Sequence, residues 1–419
     1  MAKSLTRSIL TLATGSITAS IVMAVSMPIL SRFFSPGEFG VFSVYLSLVG
    51  LISLFASANI ESALMLTSRK VERAIILKIC IIITIASAMI TALSILIFNN
   101  QAKSYFGTDS IIPVLLVIPG VIAFCGHKFV TINANSNKEY GYVSKATFYR
   151  SVLIVICQLA IGFALSGTYG LILGSILSYV LYILYFCFKS DFKSDFYSSK
   201  ITSKRVKHIL QKYRRTYMHL FPQSLLNYTS QQLPYLIFPL YYSTSVIGGL
   251  FIAQRLLKMP AGILTMALRN VFYPYFREQN SEGIYHTYIK LTFGLFLVGL
   301  PICITLYYYI SDLVVLILGD GWRDAAQYSK YMIFWVFMSV VNVATTPALT
   351  IISENRLLLK FETIDFAIKT AILLYCLTSN MTAMYTIMYY SLTCTVSYIA
   401  ICLICTYRLH LNKRVEITA

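Results

Sequence analysis

The chain has 419 residues, 57% of them hydrophobic and 12% charged, with mean hydropathy +0.72 and a formal net charge of +18. A soluble chain carries roughly 25% charged residues, so this composition excludes a water-soluble fold and makes lipid the solvent. Only helices and closed barrels satisfy their backbones there, and the apolar runs lack the ~10-residue alternation of barrel strands. An all-α membrane protein follows. The excess of positive charge does not point to nucleic acid, because the Lys and Arg residues sit in short stretches between apolar runs, not over a polar domain.

Twelve transmembrane helices are predicted, near 9–34, 39–66, 74–98, 111–132, 147–167, 169–188, 217–242, 246–274, 285–309, 328–352, 357–378 and 383–407. Lys3 and Arg7 before the first run resemble a signal peptide, but an apolar run from Ile9 to Phe34 is too long for one and is expected to be retained. This first helix has no acidic residue and ends at Arg32, which either ties the following turn to Glu38 or to lipid head groups, or meets a substrate. The second helix carries Glu61. Arg69, Lys70, Arg73 and Lys78, and then Lys128, Lys138, Lys145 and Arg150, are assigned to segments on the same side of the membrane as the N-terminus. The basic segment 189–216 is read as a cytoplasmic linker, a hinge or an anionic-lipid contact, dividing helices 1–188 from helices 217–419.

The seventh helix is polar. Gln223, Asn227 and Gln231 recur every four residues on one face, and Pro222, Pro234 and Pro239 are placed to bend it. Amides suit sugar hydroxyls or interhelical hydrogen bonds equally. The eighth helix holds Arg255 and Lys258, three apart on one face, with Arg269 nearer the end. A charge inside a bilayer costs ~2.5–3.5 kcal/mol and usually marks a wet path. Arg255 has the bidentate geometry for phosphate oxygens. Beyond a short outer loop around 311–327, Asp365 and Lys369 on the eleventh helix are four apart, forming either a neutralising pair or a carboxylate that responds to H+ or Na+.

Most of the 34 Lys and Arg residues fall on the side that holds both termini, which places those termini in the cytoplasm with an even number of spans. The outer loops are too short for a catalytic ectodomain, so no enzyme is expected, and no Gly-rich phosphate loop occurs. The nine cysteines fall inside apolar runs without metal-ligand spacing, so neither a metal nor another cofactor is expected. The 31 tyrosines and 26 phenylalanines read mainly as interface belts and packing.

The two halves echo each other. Phe34-Ser35 and Gly40 share one offset with Tyr242-Ser243 and Gly248, as in transporters built from repeated bundles. The stretch Pro28-Ile29-Leu30-Ser31-Arg32-Phe33-Phe34-Ser35-Pro36-Gly37-Glu38-Phe39-Gly40 resembles the first turn of the Wzx-type polysaccharide flippases of the MATE-related exporter superfamily. The resemblance continues through Ala58–Ala63, Asn137–Tyr140, Pro222–Pro234, Gly249–Arg255, Pro260 and Gly319–Trp322.

That family implies two pseudo-symmetric six-helix bundles around a central cavity, alternating access, and an oligosaccharide repeat unit of O-antigen or capsule on undecaprenyl pyrophosphate as substrate. It further implies the bacterial inner membrane, a monomer in contact with membrane lipids, and a polymerase and chain-length regulator as associates. The substrate-binding candidates are then Arg255, Lys258, Arg32, Arg269, Gln223, Asn227 and Gln231; those for ion coupling or charge pairing are Glu61, Asp365 and Lys369. The rival readings are a cation-coupled multidrug or metabolite exporter of the same superfamily and a polysaccharide polymerase.

Overall fold

The computed structural model describes residues 2–418 except 68, 166, 191–195 and 197–201; for 2–13, 270, 271, 273, 274, 277 and 413–418 it describes the backbone alone. The side chains of Lys3 and Arg7, and most of the first third of the 189–216 linker, thus lie outside the described residues. Among the described residues there is no strand.

Among the described residues twelve helices of 19 residues or more follow in order, with shorter ones between some of them. They are α1 Ala2–Phe33, α2 Pro36–Ser57, α3 Lys70–Ile97, α4 Val117–Ser136, α5 Tyr140–Leu165 and α6 Thr168–Lys189. Then come α7 Arg214–Ile237, α8 Thr244–Arg277, α9 Ser281–Leu318, α10 Arg323–Val341, α11 Asn355–Thr378 and α12 Ala383–Thr418. Ten of the spans are long and apolar enough to cross a membrane. α7 and α11 fall short in apolarity, not in length, and they carry the amide face and the Asp365–Lys369 pair.

The chain folds as two compact units, Met1–Gly248 and Gly249–Ala419. The boundary between these units falls in the first turns of α8, and α7 packs on α2 within the first unit. Within that unit α2 is the most deeply buried span and touches α3, α4, α6 and α7. It starts on a capping box: Glu38 accepts the Ser35 amide at 2.6 Å while the Ser35 hydroxyl caps the Glu38 amide, with Pro36 at the first helical position.

Gly40, Ser43, Ser47, Gly50 and Ser57 recur at intervals of three, four or seven, so they line one face of α2. Ser43 and Ser47 return their hydroxyls to carbonyls three residues back, leaving a smooth surface that backbones can approach. A Cβ on Gly40 would lie 1.9 Å from the Thr244 carbonyl oxygen, and one on Gly50 would lie 1.8 Å from the Tyr228 hydroxyl. Tyr228 uses that approach to donate to the Ser47 carbonyl at 3.1 Å.

Several expectations are corrected. The second span stops at Ser57, not 66: Ala58 and Asn59 both take left-handed conformations, and a 3-10 turn runs Ile60–Met65. The Asn59 amide holds the break by donating to the Leu220 carbonyl at 3.0 Å and to Ser224 at 2.7 Å. Glu61 therefore sits on a turn and not on a helix. The outer loop near 311–327 shrinks to Gly319–Trp322, since α9 continues to Leu318. Arg150 lies deeper inside α5 than expected, because α5 begins at Tyr140 and not near 147.

In the second unit α10 is the central span, packed on α9 and α12. It gives way to a 3-10 turn at Asn342–Ala344, whose Asn342 amide donates to the Tyr398 carbonyl at 2.9 Å. The nine free cysteines are buried or half-buried, none exposed.

Candidate functional site

Each unit holds its own cluster of charged and aromatic side chains. In the first, Glu61 is fully buried and ion-paired with Lys128 of α4, and the Ser57 hydroxyl donates to the same carboxylate oxygen at 3.2 Å. The second oxygen, Oε2, is buried with no hydrogen-bond partner.

One residue along α4, His127 begins an aromatic cluster. Its ring lies 4.4 Å from that of Tyr182 and 5.1 Å from that of Tyr179, both on α6. The Arg150 guanidinium stacks 4.9 Å from the Tyr179 ring centre. Arg150 stands roughly 15 Å from the start of α5, inside a span long and apolar enough to cross a membrane. Its Nε is buried without a partner, and no carboxylate pairs with it among the described residues. A cation in that position is expensive, and rings with hydroxyl tips beside it suit a sugar bearing an acidic group.

The second unit repeats the theme. Lys258 lies roughly 21 Å along α8, its ammonium 4.5 Å from the Trp335 ring centre, with no carboxylate partner among the described residues. It is within electrostatic reach of Lys369 on α11 and Cys394 on α12. Lys369 donates to Asp365 at 2.6 Å, both side chains nearly buried, while Asp365 Oδ1 and Glu362 Oε2 lack hydrogen-bond partners. Arg255 places its guanidinium 5.6 Å from the Phe251 ring centre.

The remaining candidates are placed differently. Arg32 is exposed at the end of α1 and leaves Glu38 to its capping box. Arg269 is exposed on α8, within electrostatic reach of Tyr398. Gln223, Asn227 and Gln231 are exposed on one face of α7, where the Gln231 amide donates to Asn227 at 2.7 Å. Thus Lys258, Asp365 and Lys369 come together, while Glu61 joins Lys128, which the sequence reading counted only among the basic residues of the N-terminal side. His127, Arg150, Tyr179, Tyr182, Trp335 and Glu362 were missed as well. The signal for Lys128 and Arg150 was available: a lone cation between apolar residues several positions inside a span. No group of three or more His, Cys, Asp or Glu fit for a metal occurs among the described residues.

Comparison with known proteins bears on both fold and family. The chain is similar in structure to "Lipid II flippase MurJ, inward closed conformation", with TM-score 0.71 and 12% identity over 97% of this chain and 91% of that one. It is also similar to an inward-facing multidrug resistance MATE family transporter of the MOP superfamily, with TM-score 0.56 and 14% identity over 97% and 95%. A MOP superfamily transporter from Pyrococcus furiosus matches with TM-score 0.56 and 13% identity over 97% and 96%. At these identities the likeness establishes the fold, that of multi-pass flippases and transporters. No curated protein matches the chain. A family model described as "Polysaccharide biosynthesis protein" matches residues 29–327, spanning α2 to α9 whole. The chain belongs to that polysaccharide biosynthesis family.

Proposed function

We propose that the protein is a flippase carrying undecaprenyl-pyrophosphate-linked oligosaccharide repeat units, of O-antigen or capsule, from the cytoplasmic to the periplasmic leaflet of a bacterial inner membrane. The observation that carries this reading is the pair Arg150 and Lys258: two cations at mid-span, each on an aromatic ring, neither matched by an acid among the described residues. Uncompensated positive charge at that depth needs a negatively charged visitor and water to deliver it. The polysaccharide biosynthesis family and the flippase fold support the same substrate class.

In this reading the protein works by alternating access of two six-helix bundles, as a monomer with both termini in the cytoplasm. Arg255 and Lys258 hold the pyrophosphate, Arg32 and Arg269 receive it, and Gln223, Asn227 and Gln231 meet sugar hydroxyls. Glu61 and the Asp365–Lys369 pair respond to H+ or Na+. A polymerase and a chain-length regulator would take over the delivered unit. The unpartnered Oε2 of Glu61 favours one second reading, a cation-coupled exporter of small molecules.

The deciding experiment reconstitutes the protein in vesicles and follows a labelled polyprenyl-pyrophosphate glycan between leaflets, with and without H+ or Na+ gradients. Translocation dependent on protein is the expected result. Gradient-driven export of organic cations with no glycan movement would replace this reading by the second.

A further inference from the structure

A cleft of about 590 Å³ opens where the start of α3 meets the short helix Ser203–Lys212, in the first unit. Its lining includes Arg69, Lys70, Lys204, Arg205 and His208. The single acid of the lining, Glu72, is already engaged: it accepts from Lys212 at 2.8 Å, from Tyr213 at 2.9 Å and from Thr67 at 2.9 Å. Arg69 also lies 3.6 Å from the Glu72 carboxylate, and one acid against four Lys and Arg side chains in the described lining leaves the cleft positive.

The helix itself adds to the imbalance. Lys204 and Arg205 occupy its first turn, which holds no acidic residue, so two cations stand at the positive end of a helix dipole. Ile209 of the same helix is buried, and Val71 and Ile75 of α3 continue the apolar floor. Val206, Ile209 and Leu210 recur at helical spacing opposite the charged residues, as in helices that lie in the membrane interface.

We propose that this cleft binds the phosphate head group of an anionic phospholipid, with Lys204 and Arg205 on the phosphate and the first acyl carbons over Val71 and Ile209. A cationic rim around an apolar floor at a span's end matches a lipid better than a soluble phosphate, which has no use for the floor. The proposal does not depend on what the protein transports.

The test uses the full chain purified in detergent, titrated with phosphatidylglycerol or phosphatidylcholine and read by native mass spectrometry. Phosphatidylglycerol should bind at least about tenfold more tightly than phosphatidylcholine, and Lys204→Gln with Arg205→Gln should weaken it by about tenfold or more. Lys207→Gln, on a residue lining a separate hollow of the same helix, should leave it unchanged. Equal binding of the two lipids by the unaltered protein would overturn the proposal without recourse to any variant. So would undiminished phosphatidylglycerol binding by the double variant. Displacement of the lipid by an equal concentration of inorganic pyrophosphate would overturn it too, by making a soluble phosphate the ligand.

Discussion

Gly40 and Gly248 stand backbone to backbone. A Cβ on Gly248 would fall 1.8 Å from the Pro36 carbonyl oxygen and 2.8 Å from the Gly40 amide nitrogen. These are the two glycines related by the sequence offset. Gly248→Ala should destabilise the protein by about 1–3 kcal/mol, because backbone must shift to admit the methyl group. Gly262→Ala, which meets nothing within 4 Å, should be neutral or stabilising by a few tenths to ~1 kcal/mol. Melting of the two purified variants in one detergent compares them directly.

The Glu61–Lys128 pair makes a second test. Glu61→Gln strands the Lys128 ammonium; breaking a buried pair costs about 3–5 kcal/mol, and less here because a quarter of the Lys128 side chain stays accessible. Glu61→Gln with Lys128→Met should recover most of that loss. Recovery of stability without recovery of gradient-dependent transport would mark the carboxylate as the coupling group.

Arg150 is the residue on which the transport reading presses hardest. Arg150→Gln should reduce glycan translocation at least tenfold while leaving the amount of protein in the membrane unchanged. Arg150→Lys should restore only part of it, because an ammonium keeps the charge but loses the planar fork that stacks on Tyr179. Full activity in Arg150→Gln vesicles would remove Arg150 from the proposed function.

On α11, the pair and its neighbours separate neutralisation from coupling. Asp365→Asn leaves Lys369 without its 2.6 Å partner and should lower expression. Adding Lys369→Gln should restore expression, since the helix then carries neither charge. The double variant is expected to translocate substrate at a rate no longer altered by an imposed H+ or Na+ gradient; retained gradient dependence would clear both residues of that role.

Lys212 supplies a pH dependence. Its hydrogen bond to Glu72 raises the ammonium pKa, outweighing the opposing effect of burial. A raised lysine pKa stabilises the fold fully below the unfolded value of ~10.4 and loses that contribution as pH climbs through the folded value. The difference in melting temperature between the unaltered protein and Lys212→Gln should therefore be constant near neutrality and shrink above pH ~10.4. A difference that shrinks on acidification from neutrality to pH ~6, below the ordinary lysine range, would contradict the assignment.

Much of the fold was legible because apolar runs of span length leave the backbone few options in lipid. The same logic found α7 and α11 despite their polarity, since Gln223, Asn227 and Gln231, like Asp365 and Lys369, keep helical spacing. What failed was the position of charges relative to helix ends. Arg150 was placed near the end of its span because the true start of α5, Tyr140-Gly141-Tyr142, is one that hydropathy alone does not separate from a turn. The break after Ser57 was equally hidden, because it is held by a hydrogen bond from Asn59 to the Leu220 carbonyl, a partner 161 positions away. Local patterns cannot register such a partner. The Trp335 ring beneath Lys258 was missed for the same reason.

All nine native thiols are shielded from bulk water to some degree, six of them buried outright and three half-covered. A polar maleimide applied from outside should therefore find few native targets, whereas a single engineered cysteine in an aqueous passage would react. Sidedness and access can accordingly be mapped by one-at-a-time labelling in the unmodified background, without first stripping out the sulfur chemistry that packs the spans.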